Sequence, residues 1–198
     1  MFMKIPESGM PNEDYWESFF EIDKWLDIFK IDKSVKNVLD LGSGYGTFTI
    51  PIAKRISGKI FAVDIDKSMI NRIKQRRIEE KMINIEVICK DFIEDNLDIP
   101  DKSIDCVLLF NILHTDETNK IIRKTIQKIT SGGSLIIVHW KHDPSTPRGP
   151  PMRYRKKTHE YVEILKNNGF NHIKTIELSK FHFGVIGKLS LKDINISI

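Results

Sequence analysis

Cysteine is scarce in this 198-residue chain, and both copies, Cys89 and Cys106, fall in strand-like runs (IEVICK and DCVLLF). With no CxxC pair and no neighbouring histidine, a disulfide framework and a metal site are set aside, and two buried free thiols are expected. Long apolar runs are absent as well: none reaches about 18 residues, which excludes a membrane-spanning helix. The opening residues MFMKIPESG contain no apolar core of a secretion signal, so a cytoplasmic protein is expected. Excess charge is also lacking, since a formal +4 does not by itself call for nucleic acid. No internal repeat or low-complexity tract occurs. What is present, 40% hydrophobic residues in 198, suffices for one core and one domain over residues 1–198.

Helix and strand patterns alternate along the chain. Asn12 caps an expected helix through Tyr15, Trp16, Phe19, Phe20, Trp25, Leu26 and Phe29, making residues 1–33 a helical cap. Val35 to Leu41 reads as a first strand. A helix with the stripe Phe48, Ile52, Ile56 follows, capped by Thr47 and ended at Ser57-Gly58, so that Pro51 falls in its first turn. Lys59 to Val63 is a second strand, and Ser68 to Lys81 a helix with Met69, Ile70, Ile73 and Ile78 on its apolar side. Ile85 to Cys89 and Ile104 to Phe110 are further strands. A helix from Asp116 to Ile129 leads through Gly132-Gly133 to a fifth strand, Ser134 to His139. Short, nearly all-apolar strands suit a parallel sheet covered on both faces, and right-handed crossovers make it doubly wound. After a helix capped by Thr158, Ile173 to Leu178 and Phe181 to Leu189 are so closely linked that only an antiparallel hairpin fits. The fold class is α/β, a doubly wound seven-stranded sheet ending in that hairpin.

The stretch VLDLGSGYGTFT sits at the C-terminal end of the first strand, where such sheets bind ligands. Gly42, Gly44 and Gly46 let the backbone turn and approach a ligand. Thr47 stands where the dinucleotide fingerprint GxGxxG needs its last glycine, which argues against NAD. Asp64 ends the second strand about 20 residues on, where a carboxylate can accept both ribose hydroxyls. Asp91 and Phe92 lie at the third strand tip, suited to an adenine amino group and ring. Asp40, at the first tip, would repel a pyrophosphate but suits a ligand with ammonium and sulfonium charges. Alone, each acid is an ordinary strand-end residue or helix cap; three at successive tips point to S-adenosylmethionine.

On these residues the chain resembles the class I S-adenosylmethionine-dependent methyltransferases from Val35 to about Leu189. DLGSGYG is similar to the family's glycine motif, VDID to its ribose acid, KDF to its adenine step, and DCVLLFNILH and GGSLIIVHW to its fourth and fifth strands. FNILH and the loop WKHDPSTPRGPP are most similar to the ubiquinone/menaquinone-type small-molecule branch. The resemblance implies a Rossmann-like methyltransferase fold with Asp40, Gly42, Ser43, Gly44 and Tyr45 around the methionine moiety. It further implies Asp64 and Ile65 at the ribose and one adenine face, Asp91 and Phe92 at the base, and Asn111 near the amino group and the transferable methyl. Tyr15 or Trp16 would cover the cofactor, although aromatic residues at helical spacing are more often core.

Methyl transfer needs alignment and exclusion of water, and a base only where a proton must leave. His114 is the candidate base; a loop-anchoring histidine is the other reading. His139 and His142 resemble a metal pair, but in an extended segment i and i+3 point to opposite faces, and no metal is expected. The Pro-rich, basic loop Lys141 to Lys157 is long for a connector, and Arg148 and Arg153 in it are candidates for an anionic acceptor. A small-molecule acceptor is therefore expected. RNA is the alternative, disfavoured because FNIL lacks the (D/N)PP(Y/F/W) grip on a flipped base. A non-catalytic S-adenosylmethionine-binding partner or sensor is the third reading; the oligomeric state is not legible.

Overall fold

A computed structural model describes residues 10–190. Their strands are β1 (Val38–Leu41), β2 (Ile60–Asp64), β3 (Ile85–Cys89), β4 (Ile104–Phe110), β5 (Ile129–Trp140), β6 (Phe170–Glu177) and β7 (His182–Leu189). They form one seven-stranded sheet in the order β3-β2-β1-β4-β5-β7-β6, parallel except that β7 runs antiparallel to β5 and β6. The doubly wound, Rossmann-like sheet with its C-terminal hairpin is thus as expected. The helices are α1 (Glu13–Glu17), α2 (Ile22–Ile28), α3 (Thr49–Arg55), α4 (Lys67–Glu79), α5 (Thr118–Lys128) and α6 (Thr158–Asn167). None among the described residues is long and apolar enough to cross a membrane.

The continuous apolar strands are explained by burial on both faces. In β1, Leu39 and Leu41 join a cluster with Val107, Leu109, Ile121, Ile122 and Leu165 beneath α5 and α6, whereas Val38 joins Ile52, Ile73, Leu108 and Trp25 on the other face. The second cluster reaches the hairpin: His182 lies 4.1 Å from the Trp140 ring, 5.5 Å from Trp25 and 5.2 Å from Phe20.

Several expectations are corrected. The aromatic helix expected from Asn12 to Phe29 is two helices, broken between Glu17 and Ile22; Asn12 does cap α1, its side chain accepting from Tyr15 N at 3.0 Å. The helical cap over residues 1–33 falls in part on residues 1–9, which lie outside the described residues. Phe48, not Thr47, precedes α3, and Lys157, not Thr158, precedes α6. β5 begins five residues early, because Gly132-Gly133 lie within an irregularity where its register with β4 shifts. Ile78 is 72% exposed, since α4 outruns the sheet that it covers. Cys89 is exposed at the end of an edge strand; only Cys106 is buried, its thiol pushed up to about 12 by burial.

Candidate functional site

β1 pairs with both β2 and β4, so three strand-end loops surround one crevice where the strand order reverses. A cavity of about 380 Å³ opens there. Its floor is the β1–α3 turn, in which Gly42, Gly44 and Gly46 have φ of 70°, 53° and 80°. Gly42 N and Ser43 N both donate to Val63 O, at 2.8 and 3.0 Å, which draws the turn toward β2. A Cβ on Gly42 would lie 2.4 Å from Ile112 Cγ2, so glycine is what lets the turn meet the β4–α5 loop.

Two carboxylates face this floor. Asp64 accepts from Gly44 N at 2.8 Å on Oδ2 and from Asp66 N at 2.9 Å on Oδ1, which aims the group while each oxygen keeps acceptor capacity for a ligand. Burial raises its pKa despite those bonds. Asp40 is buried and accepts from Thr49 Oγ1 at 2.6 Å. Burial pushes its carboxyl up to about 6; the Thr49 bond opposes this and the Asp64 charge reinforces it. The wall also includes Asp66 and, among the described residues, no lysine or arginine. Such a concentration of negative charge is relieved by a cationic ligand.

Polar atoms without protein partners mark the far side. Ser43 Oγ, Thr47 Oγ1 and both amide atoms of Asn111 are buried on the wall with no hydrogen bond. Asn111 also has φ 56°, in the left-handed region. Unpaired buried groups cost about 1–3 kcal/mol each, a cost that a ligand bearing a carboxylate and an ammonium group would remove. Ile65, Phe92 and His114, the last 4% exposed, complete the wall. The His114 ring lies 6.1 Å from His139, whose burial lowers its pKa to about 3 and keeps it neutral.

Other candidates lie off the wall. Asp91 Oδ1 accepts from Ile93 N at 2.8 Å and Glu94 N at 3.3 Å, capping the turn after β3. Tyr45 OH donates to Pro11 O at 2.9 Å, tying the N-terminal segment to the glycine turn. Arg148 and Arg153 stand in the loop after β5, with the Arg153 guanidinium 4.6 Å from the Tyr154 ring centroid. That loop is organised by Arg155, which is buried and donates to Pro150 O at 2.7 Å, Arg148 O at 3.0 Å, Asp143 O at 3.1 Å and Thr146 Oγ1 at 2.5 Å. Nothing in the run RYRKK distinguishes this arginine from Arg153 and Lys157, which are exposed.

Sequence reasoning missed Met10, Asp66, Met69, Phe110 and Ile112, which line the cavity with Trp16, Thr47 and Phe48. Thr47 had a signal, because it occupies the third-glycine position of the fingerprint. Trp16 reaches the cavity whereas Tyr15 packs outward on Phe19, ring centroids 4.9 Å apart. α1 is held over the site by charge. Glu13 accepts from Arg72 Nε at 2.7 Å and Arg76 Nη1 at 3.1 Å, and Glu17 from Arg76 Nη1 at 2.9 Å.

Residues 38–133 match a family model described as a methyltransferase domain. The chain is 34% identical over 161 residues to phosphoethanolamine N-methyltransferase 1 of Zea mays, an alignment covering 77% of this chain and 31% of the maize protein. It is 34% identical over 107 residues to carboxy-S-adenosyl-L-methionine synthase of Shewanella frigidimarina, covering 51% of this chain and 43% of that protein. This chain therefore spans less than half the length of these two curated relatives. The crystal structure of a SAM dependent methyltransferase from Aquifex aeolicus superposes with a TM-score of 0.78 at 24% identity, covering 90% of this chain and 94% of that one, a likeness of fold.

Proposed function

We propose that the chain, whose residues 38–133 match a methyltransferase domain, is a class I S-adenosylmethionine-dependent methyltransferase and that it transfers a methyl group from S-adenosylmethionine to a small acceptor. The observation carrying this reading is one cavity that joins the buried Asp40 and half-buried Asp64 carboxylates to unsatisfied hydroxyl and amide groups. Ser43, Thr47 and Asn111 suit the amino-acid end of the cofactor, Asp40 its positive charge, and Asp64 the ribose hydroxyls. Ile65 and Phe92 flank the base; Asp91 acts indirectly, by shaping the turn that carries Phe92. When bound, S-adenosylmethionine supplies a methyl on a sulfonium centre.

The chain's own part is alignment and exclusion of water, for which Trp16, Phe48 and Phe110 supply apolar wall. His114, at the end bordered by Asn111 and Ile112, is the proton acceptor from an acceptor N–H or O–H. An amine carrying an anionic group fits this scheme, with Arg148 and Arg153 meeting the anion from the loop outside the cavity. Phosphoethanolamine, named for the maize relative, is such a molecule and the first acceptor to test. Radiolabelled cofactor with phosphoethanolamine is expected to give a labelled small product, with S-adenosylhomocysteine binding seen by calorimetry. Binding without turnover on phosphoethanolamine, small amines or carboxylic acids would favour a sensor. A labelled RNA product, with salt-sensitive binding, would move the acceptor to nucleic acid; the acidic cavity wall argues against it.

A further inference from the structure

His114 sits in the connection between β4 and α5, an irregular segment. Local bonds shape the turn that follows: Glu117 N donates to Thr115 Oγ1 at 3.1 Å, and Thr118 Oγ1 to Thr115 O at 2.8 Å. The backbone carbonyls on either side of His114 are both taken by side chains from the α6 region. Tyr161 OH donates to Leu113 O at 3.4 Å, and Lys156 Nζ to Thr115 O at 3.2 Å; the same ammonium reaches Thr118 Oγ1 at 3.2 Å. The rings form a column, with His139 6.1 Å from His114 and 5.8 Å from Tyr161.

Lys156 is half-buried, and its hydrogen bonds go to a neutral carbonyl and a hydroxyl. A surface lysine keeps its hydration; this one exchanges part of it for two contacts on the His114 segment. Nor does it line the cavity, so it does not meet an anionic acceptor there. We propose that Lys156 is a positioning residue which, with Tyr161, fixes the Leu113–Thr118 segment and thereby holds the His114 imidazole at the acceptor end of the cavity. This rests on reading His114 as the proton acceptor. Its neighbour Arg155 folds the loop after β5, and Lys156 ties that folded loop to the segment bearing the base.

The test is proton–nitrogen correlation NMR of the imidazoles in the full chain saturated with S-adenosylhomocysteine. The native protein is expected to give one sharp set of His114 ring signals. In Lys156→Met these should broaden or double, while the exposed His159 and His172 signals stay put and the S-adenosylhomocysteine Kd changes by less than about twofold. Lys156→Arg should restore the single set. Unchanged His114 signals in Lys156→Met overturn the proposal. Should that variant not fold, Thr118→Val removes one of the two contacts: broadening confined to His114 supports the proposal, and unaltered signals overturn it. Failure of the base assignment is read separately, as methyl transfer that survives His114→Gln while the Lys156→Met spectra still show the broadened His114 signals.

Discussion

Gly44 N donates to Asp64 Oδ2 at 2.8 Å, and this bond joins the loops after β1 and β2 into one floor. Asp64 thereby has two tasks, orienting the glycine turn and offering its remaining acceptor capacity to a ligand. Because hydrogen bonds to a charged group are worth about 1.5–3 kcal/mol each, Asp64→Ala should weaken S-adenosylhomocysteine binding ~100-fold by calorimetry. Asp64→Asn, which keeps one acceptor oxygen, should lose less. Near-native affinity in the alanine variant would remove the ribose assignment.

Cofactor affinity should depend on pH through Asp40. Burial raises its carboxyl to about 6, so in the free protein it is protonated below that pH and ionised above it. A cationic ligand prefers the ionised form, so affinity should fall by up to about tenfold per pH unit below 6. For stability the sign is opposite: the contribution of Asp40 is present below the unfolded value of 3.8 and lost as pH rises through about 6. Isothermal titration in buffers of different ionisation enthalpy should detect proton release below pH 6. A Kd that stays flat to pH 5, or one whose slope survives in Asp40→Asn, contradicts this.

Acid should destabilise the fold through His139 and His182, both lowered to about 3 chiefly by burial from an ordinary 6.5. A histidine depressed in the folded state contributes stability that is present above 6.5 and lost as pH falls toward 3. The loss outweighs the smaller, opposite gain from Asp40. Melting temperature should therefore drop by roughly 10 °C between pH 6.5 and 4.5, and His182→Leu should flatten that limb. A melting temperature constant over this range would mean that the two rings are not held neutral by burial.

The clamp on α1 should govern how long the cofactor stays. α1 contains no buried residue, and the ion pairs of Glu13 and Glu17 with Arg72 and Arg76 hold Trp16 over the cavity. Each such pair is worth about 0.2–1 kcal/mol, so Glu13→Gln with Glu17→Gln should speed S-adenosylhomocysteine release several-fold in stopped flow. High salt should do the same to the native protein and little to the variant. Equal release rates would assign the cover to Trp16 packing alone.

Most of the sheet was readable because strands buried on both faces leave unbroken apolar runs, and Asp40, Asp64 and the glycines were readable because strand tips are set by those runs. What escaped depends on how turns, loops and helix breaks fold back on themselves. Aromatic spacing from Tyr15 to Phe29 fits one helix, yet the chain must bend after Glu17 to lay α1 over the cavity and α2 into the core. Asp91 lies off the cavity wall, and the bonds that its Oδ1 accepts from Ile93 N and Glu94 N in the turn after β3 have no signature in the sequence. Arg155 is one cation in a basic run, and only the folded loop makes it internal. Residues such as Met69 and Ile112 have no signature beyond being apolar near a strand tip.

The box around His182 brings together Phe20 and Trp25 from the start of the fold and Trp140 and β7 from its later half. These contacts join residues about 160 positions apart, from Phe20 to His182, and pairings of such long sequence separation form slowly. During synthesis, the N-terminal aromatic cluster would remain open until the last hairpin emerges. The link from α1 into α2 is therefore among the last parts of the core to lock, because its aromatic partner arrives with β7.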